Sequence, residues 1–199
     1  MRTDVAEEAR LGVSTMRVGW IGAGKMGAPM VRNLLAAGVE VAVTDPEDRV
    51  RADLVKLGAT DAPALAGQRG SEVVFATVPN DTVLREVVLG NGSDLGLTGL
   101  MARGSVLVDM STVSPECSAE ISDALEKSGI YYLRAPLSGS TSMAQSATLT
   151  VLASGDQAAW DRALPLMKLL SARQFHLGAG EEARYMKLVI NTLVGATSA

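Results

Sequence analysis

The feature that most constrains how this chain can fold lies in residues 17–27, which have the sequence RVGWIGAGKMG. A short apolar run there breaks into three glycines, Gly22, Gly24 and Gly27, with G-x-G-x-x-G spacing. The residues that follow, 29–38, have the apolar periodicity of a helix. A strand, a glycine turn and a helix in this order predict the first unit of a dinucleotide-binding βαβ fold.

Each glycine has its own physical role in such a turn. Gly22 allows a sharp turn of the backbone, Gly24 leaves room for a pyrophosphate, and Gly27 lets the helix lie close to the strand. Backbone N–H groups and the positive end of the helix dipole then face the phosphates. The motif alone also fits a glycine turn that binds no ligand. The predicted cofactor-binding residues of this turn are Gly22, Ala23, Gly24, Lys25, Met26 and Gly27.

The second predicted strand, residues 39–44, is followed by Asp45. A carboxylate at that strand end is placed to accept hydrogen bonds from an adenosine ribose, and it would repel a 2′-phosphate. Asp45 therefore favours NAD over NADP. Arg49 and Arg51 lie nearby in the sequence and keep NADP open as the alternative.

Further strands and helices alternate along the chain. We predict strands at residues 73–78, 106–109, 130–133, 148–153 and 174–177, and helices at residues 46–57, 63–66, 82–89, 115–127 and 157–170. This alternation predicts an α/β fold with a Rossmann-type, doubly wound and largely parallel sheet. Ligands bind such sheets at the carboxyl ends of the strands.

The two ends of the chain differ from this α/β segment. Residues 1–15 contain Asp4, Glu7 and Glu8 and lack a long apolar core, which predicts a flexible tail rather than a signal peptide. Residues 16–179 form the predicted dinucleotide-binding domain. Residues 180–199 are predicted to be the start of an interdomain helix that is apolar on nearly every side. Because nothing else in the chain could cover that helix, we expect an absent domain or a partner subunit to pack against it.

The composition excludes several classes of partner. The net charge is −4 and the basic residues are scattered, so there is no nucleic-acid-binding stripe and no membrane-binding face. Cys117 is the only cysteine, which excludes an internal disulfide and fits a reducing cytoplasm. No set of His, Asp and Glu has metal-ligand spacing, and the only histidine, His176, is interpreted as structural. A small-molecule ligand is therefore expected.

Two polar side chains interrupt the last predicted helix. Lys187 and Asn191 are four residues apart and therefore lie on one helix face. A lysine among apolar residues can be partly desolvated, which lowers its pKa toward the range used in proton transfer. The amide of Asn191 can orient a hydroxyl or a carbonyl. The spacing by itself fits a structural lysine beside a surface asparagine at least as well.

Two further polar segments follow predicted strands. Residues 109–116 place Thr112 between a strand end and the next helix. Residues 135–140 form a turn of small residues whose hydroxyl and N–H groups could hold a carboxylate, although a plain turn of this composition needs no ligand. The candidate groups in this turn belong to Ser138, Gly139 and Ser140.

These motifs together resemble the β-hydroxyacid dehydrogenase family, which includes 3-hydroxyisobutyrate dehydrogenase and tartronate semialdehyde reductase, with 6-phosphogluconate dehydrogenase as a relative. The resemblance covers residues 16–199 and rests on four segments in the order and spacing of the family. They are GAGKMGAPM at residues 22–30, DMST at 109–112 with Pro115, APLSG at 135–139, and Lys187 with Asn191.

The resemblance implies an NAD(P)-dependent oxidoreductase that oxidises a small 3-hydroxy acid or reduces the matching semialdehyde. The dinucleotide would be lined by the glycine turn together with Asp45, Val78, Pro79 and Thr112. The substrate would be bound by Ser138, Gly139, Ser140, Lys187 and Asn191. Lys187 would be the general acid/base while hydride passes to the nicotinamide, and Asn191 would position the substrate oxygen. The family also implies an all-helical domain after the last helix and a homodimer or tetramer.

The chain departs from the family pattern in the substrate turn. Ser140, Met143 and Ala147 stand where members usually have glycine, and these larger side chains narrow the turn, so the identity of the acid stays open. Without the helical domain the chain could bind NAD and fail to turn over. One alternative is an imine reductase or a decarboxylating sugar-acid dehydrogenase, although imine reductases tend to lack the lysine at position 187. The other is a non-catalytic dinucleotide-binding module, which would be expected to have lost that lysine.

Overall fold

The computed structural model describes residues 16–92 and 94–197. The tail predicted over residues 1–15 lies outside the described residues. The strands are β1 (Arg17–Ile21), β2 (Glu40–Thr44), β3 (Thr60–Asp61), β4 (Val73–Ala76), β5 (Val106–Asp109), β6 (Tyr131–Arg134), β7 (Leu137–Ser138), β8 (Leu149–Gly155) and β9 (Ser171–His176). The helices are α1 (Gly27–Ala36), α2 (Asp48–Val55), α3 (Asp81–Leu89), α4 (Leu97–Leu100), α5 (Pro115–Ser128), α6 (Thr141–Gln145), α7 (Gln157–Lys168) and α8 (Glu182–Thr197), with a 3-10 helix at Leu65–Gln68.

The strands form one sheet in the order β3-β2-β1-β4-β5-β6-β8-β7, and β9 pairs with β8. The six strands from β3 to β6 in this order are all parallel. The strand β8 runs antiparallel to β6 and β7, whereas β9 is parallel to β8. The predicted α/β fold with a doubly wound, largely parallel sheet is therefore confirmed. The carboxyl ends of the six parallel strands meet along one edge.

The parallel part of the sheet has a hydrophobic core on each face. Consecutive residues of β4 point in opposite directions, so that Val74 packs into one cluster and Phe75 into the other. Every residue of β4 and of β5 is buried, as their nearly continuous apolar sequences predict. In the described part of the chain, no helix is both long enough and apolar enough to cross a membrane.

Ala147 is a strained position in the turn between α6 and β8. Its φ is +54°, and among the described residues it is the only non-glycine residue with a positive φ. The N–H of Thr148 donates to the carbonyl of Met143 at 2.9 Å, which is the hydrogen bond that closes a helix on a left-handed residue. That conformation favours glycine because a Cβ crowds the following carbonyl.

We expect Ala147→Gly to raise the free energy of unfolding by about 0.5–1 kcal/mol, because it relieves this backbone strain. Urea denaturation measured by circular dichroism tests the expectation. Ala52→Gly, at an exposed position inside α2, is the matched control and is expected to lower the same free energy by a similar amount. A loss of stability in both variants would contradict the strain at Ala147.

Candidate functional site

A cleft of about 1250 Å³ lies at the carboxyl ends of the parallel strands. The sequence-predicted residues that line it are Gly22, Gly24, Lys25, Met26, Gly27, Asp45, Val78, Pro79, Thr112, Gly139 and Lys187. These residues are far apart in the sequence. They come together because parallel strands β1, β2, β4 and β5 all end at this edge, with α8 and the turn after β7 beside them.

Four of the predicted site residues do not belong to the lining of this cleft. Ala23 is buried, and its N–H group donates to a carboxylate of the cleft. Ser138 is partly buried in β7, where it pairs with β8. Ser140 caps α6 by accepting a hydrogen bond from a first-turn N–H group. Asn191 is exposed on α8, one turn beyond the lysine.

The three glycines of the turn have different surroundings. Gly22 has a φ of +83°, and a Cβ on it would overlap the carbonyl oxygen of Thr77. A Cβ on Gly27 would overlap the carbonyl oxygen of Gly22 and lie 2.8 Å from the indole nitrogen of Trp20. A Cβ on Gly24 would meet no protein atom within 4 Å. The fold therefore requires glycine at positions 22 and 27, whereas the missing side chain of Gly24 keeps the cleft open.

The amino end of α1 meets the cleft without a side-chain cap. Four other helices are capped by their own side chains, namely α3 by Asn80, α5 by Ser114, α6 by Ser140 and α7 by Asp156. An uncapped helix start presents N–H groups and the positive end of the dipole to a ligand. The end of α1 therefore suits a phosphate group.

Asp45 is held beside the glycine turn by two backbone hydrogen bonds. Its Oδ2 accepts the N–H of Ala23 at 2.7 Å, and its Oδ1 accepts the N–H of Glu47 at 2.9 Å. Asp45 is only 7% exposed, yet it lines the cleft, so each carboxylate oxygen can accept a further hydrogen bond from a ligand. The carboxylate is thus fixed at the end of β2, as the sequence predicts.

Arg49 and Arg51, which left NADP as an alternative cofactor, do not line the cleft. Arg51 is buried, and its Nη1 donates to the carbonyl of Asp45 at 2.6 Å. Its guanidinium also pairs with Asp48 and Asp61, each at 2.8 Å. Arg51 therefore fixes the loop after β2 and has its charge balanced by protein groups, whereas Arg49 is exposed on α2.

Lys187 is the one predicted catalytic residue in the cleft lining. It is half-buried on α8, and burial lowers the pKa of its ammonium group below the ordinary lysine value. Beyond this residue the helix is largely uncovered. The large apolar side chains that α8 exposes are Tyr185, Met186, Leu188, Val189, Leu193 and Val194.

Sequence reasoning missed Arg184, which lies one turn before the lysine and is 2% exposed. Its Nη2 donates to Asp109 Oδ2 at 2.5 Å and to the hydroxyl of Tyr132 at 3.1 Å. Its Nη1 donates to the carbonyl of Ser111 at 2.6 Å, and its Nε to Ser118 Oγ at 3.2 Å. Arg184 follows Glu181 and Glu182 and precedes Lys187 in the sequence, so its charge did not distinguish it from its neighbours. Nothing in the sequence indicated its partners, which lie 52 to 75 positions away.

The fold and the cleft define a Rossmann-type dinucleotide-binding domain. Residues 17–178 match the family model described as the NAD binding domain of 6-phosphogluconate dehydrogenase. The chain belongs to the β-hydroxyacid dehydrogenase family, and the predicted family and dinucleotide cofactor are therefore confirmed.

Several enzymes of this family are similar to the chain. It is 31% identical over 189 residues to 2-(hydroxymethyl)glutarate dehydrogenase of Eubacterium barkeri, a match that covers 93% of this chain and 61% of that protein. It is 33% identical over 179 residues to 3-hydroxyisobutyrate dehydrogenase of Pseudomonas aeruginosa, covering 89% and 59%. The solved structure of Mycobacterium tuberculosis 3-hydroxyisobutyrate dehydrogenase with L-serine superposes with a TM-score of 0.83 at 26% identity, covering 90% and 60%. The chain therefore spans 59–61% of the length of these three proteins.

Proposed function

We propose that this chain is the dinucleotide-binding part of an oxidoreductase that uses NAD, or alternatively NADP, to oxidise a small 3-hydroxy acid or to reduce the matching semialdehyde. The observation that carries the proposal is the position of Lys187. This half-buried lysine lines the same cleft as the glycine turn, so that a proton-transfer group and a phosphate-binding turn share one cavity.

The residues of the cleft fit a dinucleotide. The open space at Gly24 and the uncapped start of α1 would receive the pyrophosphate, and Asp45 would accept hydrogen bonds from the adenosine ribose. The remaining predicted residues of the rim, Val78, Pro79 and Thr112, would line the nicotinamide end. A bound nicotinamide supplies the hydride chemistry, accepting a hydride from the substrate carbon or returning it.

Lys187 would move the proton that accompanies this hydride. When the alcohol is oxidised, the neutral amine takes the proton of the 3-hydroxyl group on its Nζ. In the reverse direction the ammonium returns that proton to the carbonyl oxygen. The lowered pKa increases, at a given pH, the fraction of neutral amine that can take the hydroxyl proton. Most of the acceleration would come from proximity and orientation.

The substrate would lie beside the turn after β7. We propose that Ser138, Gly139 and Ser140 hold its carboxylate and that Asn191 positions the reacting oxygen. Gly139 lies close to Met143, since a Cβ added to the glycine would be 3.2 Å from the sulfur. The turn is therefore closely packed against the protein interior at this position.

The names of the relatives support a 3-hydroxy acid. The compounds 2-(hydroxymethyl)glutarate, 3-hydroxyisobutyrate and L-serine all carry a CH₂OH group on the carbon that bears the carboxylate. They differ in the other substituent of that carbon. The shared part is the part on which the proposed reaction acts.

Two further proposals concern the assembly. We propose that an all-helical domain follows α8, and that the enzyme is a cytoplasmic homodimer or tetramer. The exposed apolar side chains of α8 support the helical domain and the oligomer, because a helix with apolar residues on several sides is normally covered. Light scattering on a polypeptide that extends beyond residue 199 tests the oligomer, and a monomer at micromolar concentration would contradict it.

The function is tested by following NADH absorbance on a polypeptide that includes the helical domain. The panel is 3-hydroxyisobutyrate, glycerate, serine, threonate and 6-phosphogluconate, each with NAD⁺ and with NADP⁺. Turnover of one 3-hydroxy acid identifies the substrate, and faster turnover with NAD⁺ supports the role of Asp45. If NADH binds while neither this panel nor a wider one is oxidised, the chain is a non-catalytic dinucleotide-binding module.

We expect Gly24→Val to weaken NADH binding more than about tenfold with no change in melting temperature, because the side chain would enter open space that the pyrophosphate needs. Titration of NADH fluorescence gives the dissociation constants. Gly195→Val is the matched control, because Gly195 is exposed on α8 and a Cβ added to it would also meet no atom within 4 Å. This variant should bind NADH like the wild type. Unchanged binding by Gly24→Val would remove the turn from the cofactor site.

A further inference from the structure

A buried ion pair joins the helix of Lys187 to the central sheet. Arg184 lies one turn before Lys187 on α8, and Asp109 is the last residue of β5. The side chains of the two paired residues are 1% and 0% exposed, and Arg184 Nη2 lies 2.5 Å from Asp109 Oδ2. Burial opposes the charge on Arg184, yet the Asp109 carboxylate raises the pKa of the guanidinium above its ordinary value, so the guanidinium stays charged.

The same two side chains also hold the wall of the cleft. Asp109 Oδ1 accepts the N–H of Ser111 at 2.9 Å, and Arg184 Nη1 donates to the carbonyl of Ser111 at 2.6 Å. Ser111 Oγ in turn accepts the N–H of Val78 at 2.9 Å. Both Ser111 and Val78 line the cleft. One ion pair therefore fixes the lysine helix and two segments of the cofactor site relative to each other.

A second ion pair of opposite polarity holds the start of the same helix. Glu181, just before α8, pairs with Arg134 at the end of β6, with Arg134 Nε donating to Glu181 Oε1 at 2.7 Å. Arg134 and Asp109 are direct neighbours in the ladder between β5 and β6. Glu181 just before α8 and Arg184 in its first turn, three residues apart, thus face a base and an acid on adjacent strands.

This charge pattern allows one docking arrangement of α8. Rotation or displacement of the helix would bring Arg184 toward Arg134, or Glu181 toward Asp109, and like charges repel strongly when buried. Ser154 adds a third contact, because its Oγ accepts the N–H of Ala183 at 3.1 Å. The first turn of α8 is therefore fixed, whereas the apolar side chains that follow are largely exposed.

We infer that Arg184 and Asp109 are positioning residues that hold Lys187 at the edge of the dinucleotide cleft. The inference rests on the proposed function of Lys187 as acid/base. Neither residue of the ion pair lines the cleft, so they act through the helix and through Ser111 rather than on the substrate.

The test is Arg184→Lys, which keeps the positive charge and loses the forked guanidinium group that donates to Ser111 and Ser118. On a polypeptide with the helical domain, kcat should fall about 10- to 100-fold while the KM for NAD⁺ changes less than about threefold. The matched control is Arg162→Lys. Arg162 pairs with Glu72 at 2.8 Å and donates to the carbonyl of Gly104 at 2.8 Å, away from the cleft, and its loss should leave kcat unchanged.

A second measurement separates this inference from the proposed reaction. After reductive ¹³C-methylation, the NMR signal of Lys187, assigned with Lys187→Ala, reports both its pKa and its response to NADH in the 199-residue chain. In the wild type the signal should titrate below ordinary lysines and shift on NADH addition, and Arg184→Lys should reduce both effects. If no acid is turned over by the wild type, the proposed reaction fails while this measurement still decides the positioning role.

The inference is overturned if Arg184→Lys melts at a lower temperature but keeps the wild-type kcat. It is also overturned if the Lys187 signal of that variant keeps the wild-type pKa and the wild-type response to NADH. Should that variant not fold, Tyr132→Phe takes its place with the same criteria. It keeps both charges and removes a hydroxyl that accepts from Arg184 at 3.1 Å and donates to Asp109 at 2.9 Å. Its effects on kcat and on the lysine signal should have the same direction and be smaller.

Discussion

Lys187→Ala is expected to lower kcat by about 10²- to 10⁴-fold, which is the usual contribution of a positioned acid/base group. The lysine lines the cleft and its pKa is lowered by burial, so a larger fraction of its side chain than of an ordinary lysine is the neutral amine that would take the hydroxyl proton. NADH formation with the best substrate of the panel measures the loss. NADH binding should change little, because the glycine turn and Asp45 are untouched.

The dependence of the oxidation rate on pH gives a second test of Lys187. The neutral amine is the base, so oxidation by the wild type should accelerate as the pH rises through a pKa below the ordinary lysine value. That limb should be missing from Lys187→Ala, and small primary amines should restore part of the rate. Lys168→Ala, at an exposed lysine near the end of α7, is the control and should behave as the wild type. Equal kcat values for Lys187→Ala and wild type would make the lysine structural.

The main parallel strands could be predicted from the sequence because each is short, apolar and bounded by turn residues. The elements that were missed are β3, β7, α4 and α6, which have five residues or fewer and are too short to show a periodicity. The strand β9 begins at Ser171, earlier than the predicted residue 174, because it pairs with β8 along a mostly polar, exposed edge. Such pairing is decided by the neighbouring strand rather than by the segment itself.

The rim of the cleft could be predicted because the ends of parallel strands meet at one edge, whatever their separation in sequence. Placing Asp45 and Thr112 after strand ends therefore placed them in one cavity, whereas Lys187, inside α8, was assigned to the site by the family resemblance. The geometry of Ser140 and Asn191 could not be derived in this way, because a residue type does not reveal whether its side chain caps a helix or faces a cleft. The partners of Arg184 depend on packing between two strands, the loop after β5 and two helices, which no local pattern encodes.

Asp109→Ala is expected to lower the free energy of unfolding by about 3–5 kcal/mol, because it leaves the guanidinium of Arg184 buried without a counter-charge. The variant also removes the acceptor for the N–H of Ser111 and for the hydroxyl of Tyr132. Urea denaturation of the chain measures the loss. Glu72→Ala is the matched control, since its pair with Arg162 is partly exposed and should contribute no more than about 1 kcal/mol.

The double variant Asp109→Ala with Arg184→Met separates stability from positioning. Replacing the orphaned charge by an apolar side chain should recover much of the lost free energy of unfolding, because the cost in the single variant is mainly that of a buried unpaired ion. Methionine cannot donate to the carbonyl of Ser111, so the helix and the cleft wall stay uncoupled and kcat should not recover. If stability and kcat recover together, the ion pair only stabilises the fold. The side-chain exposures of 1% and 0% mean that the ion pair is buried. If Asp109→Ala lowers the free energy of unfolding no more than Glu72→Ala does, that burial is contradicted.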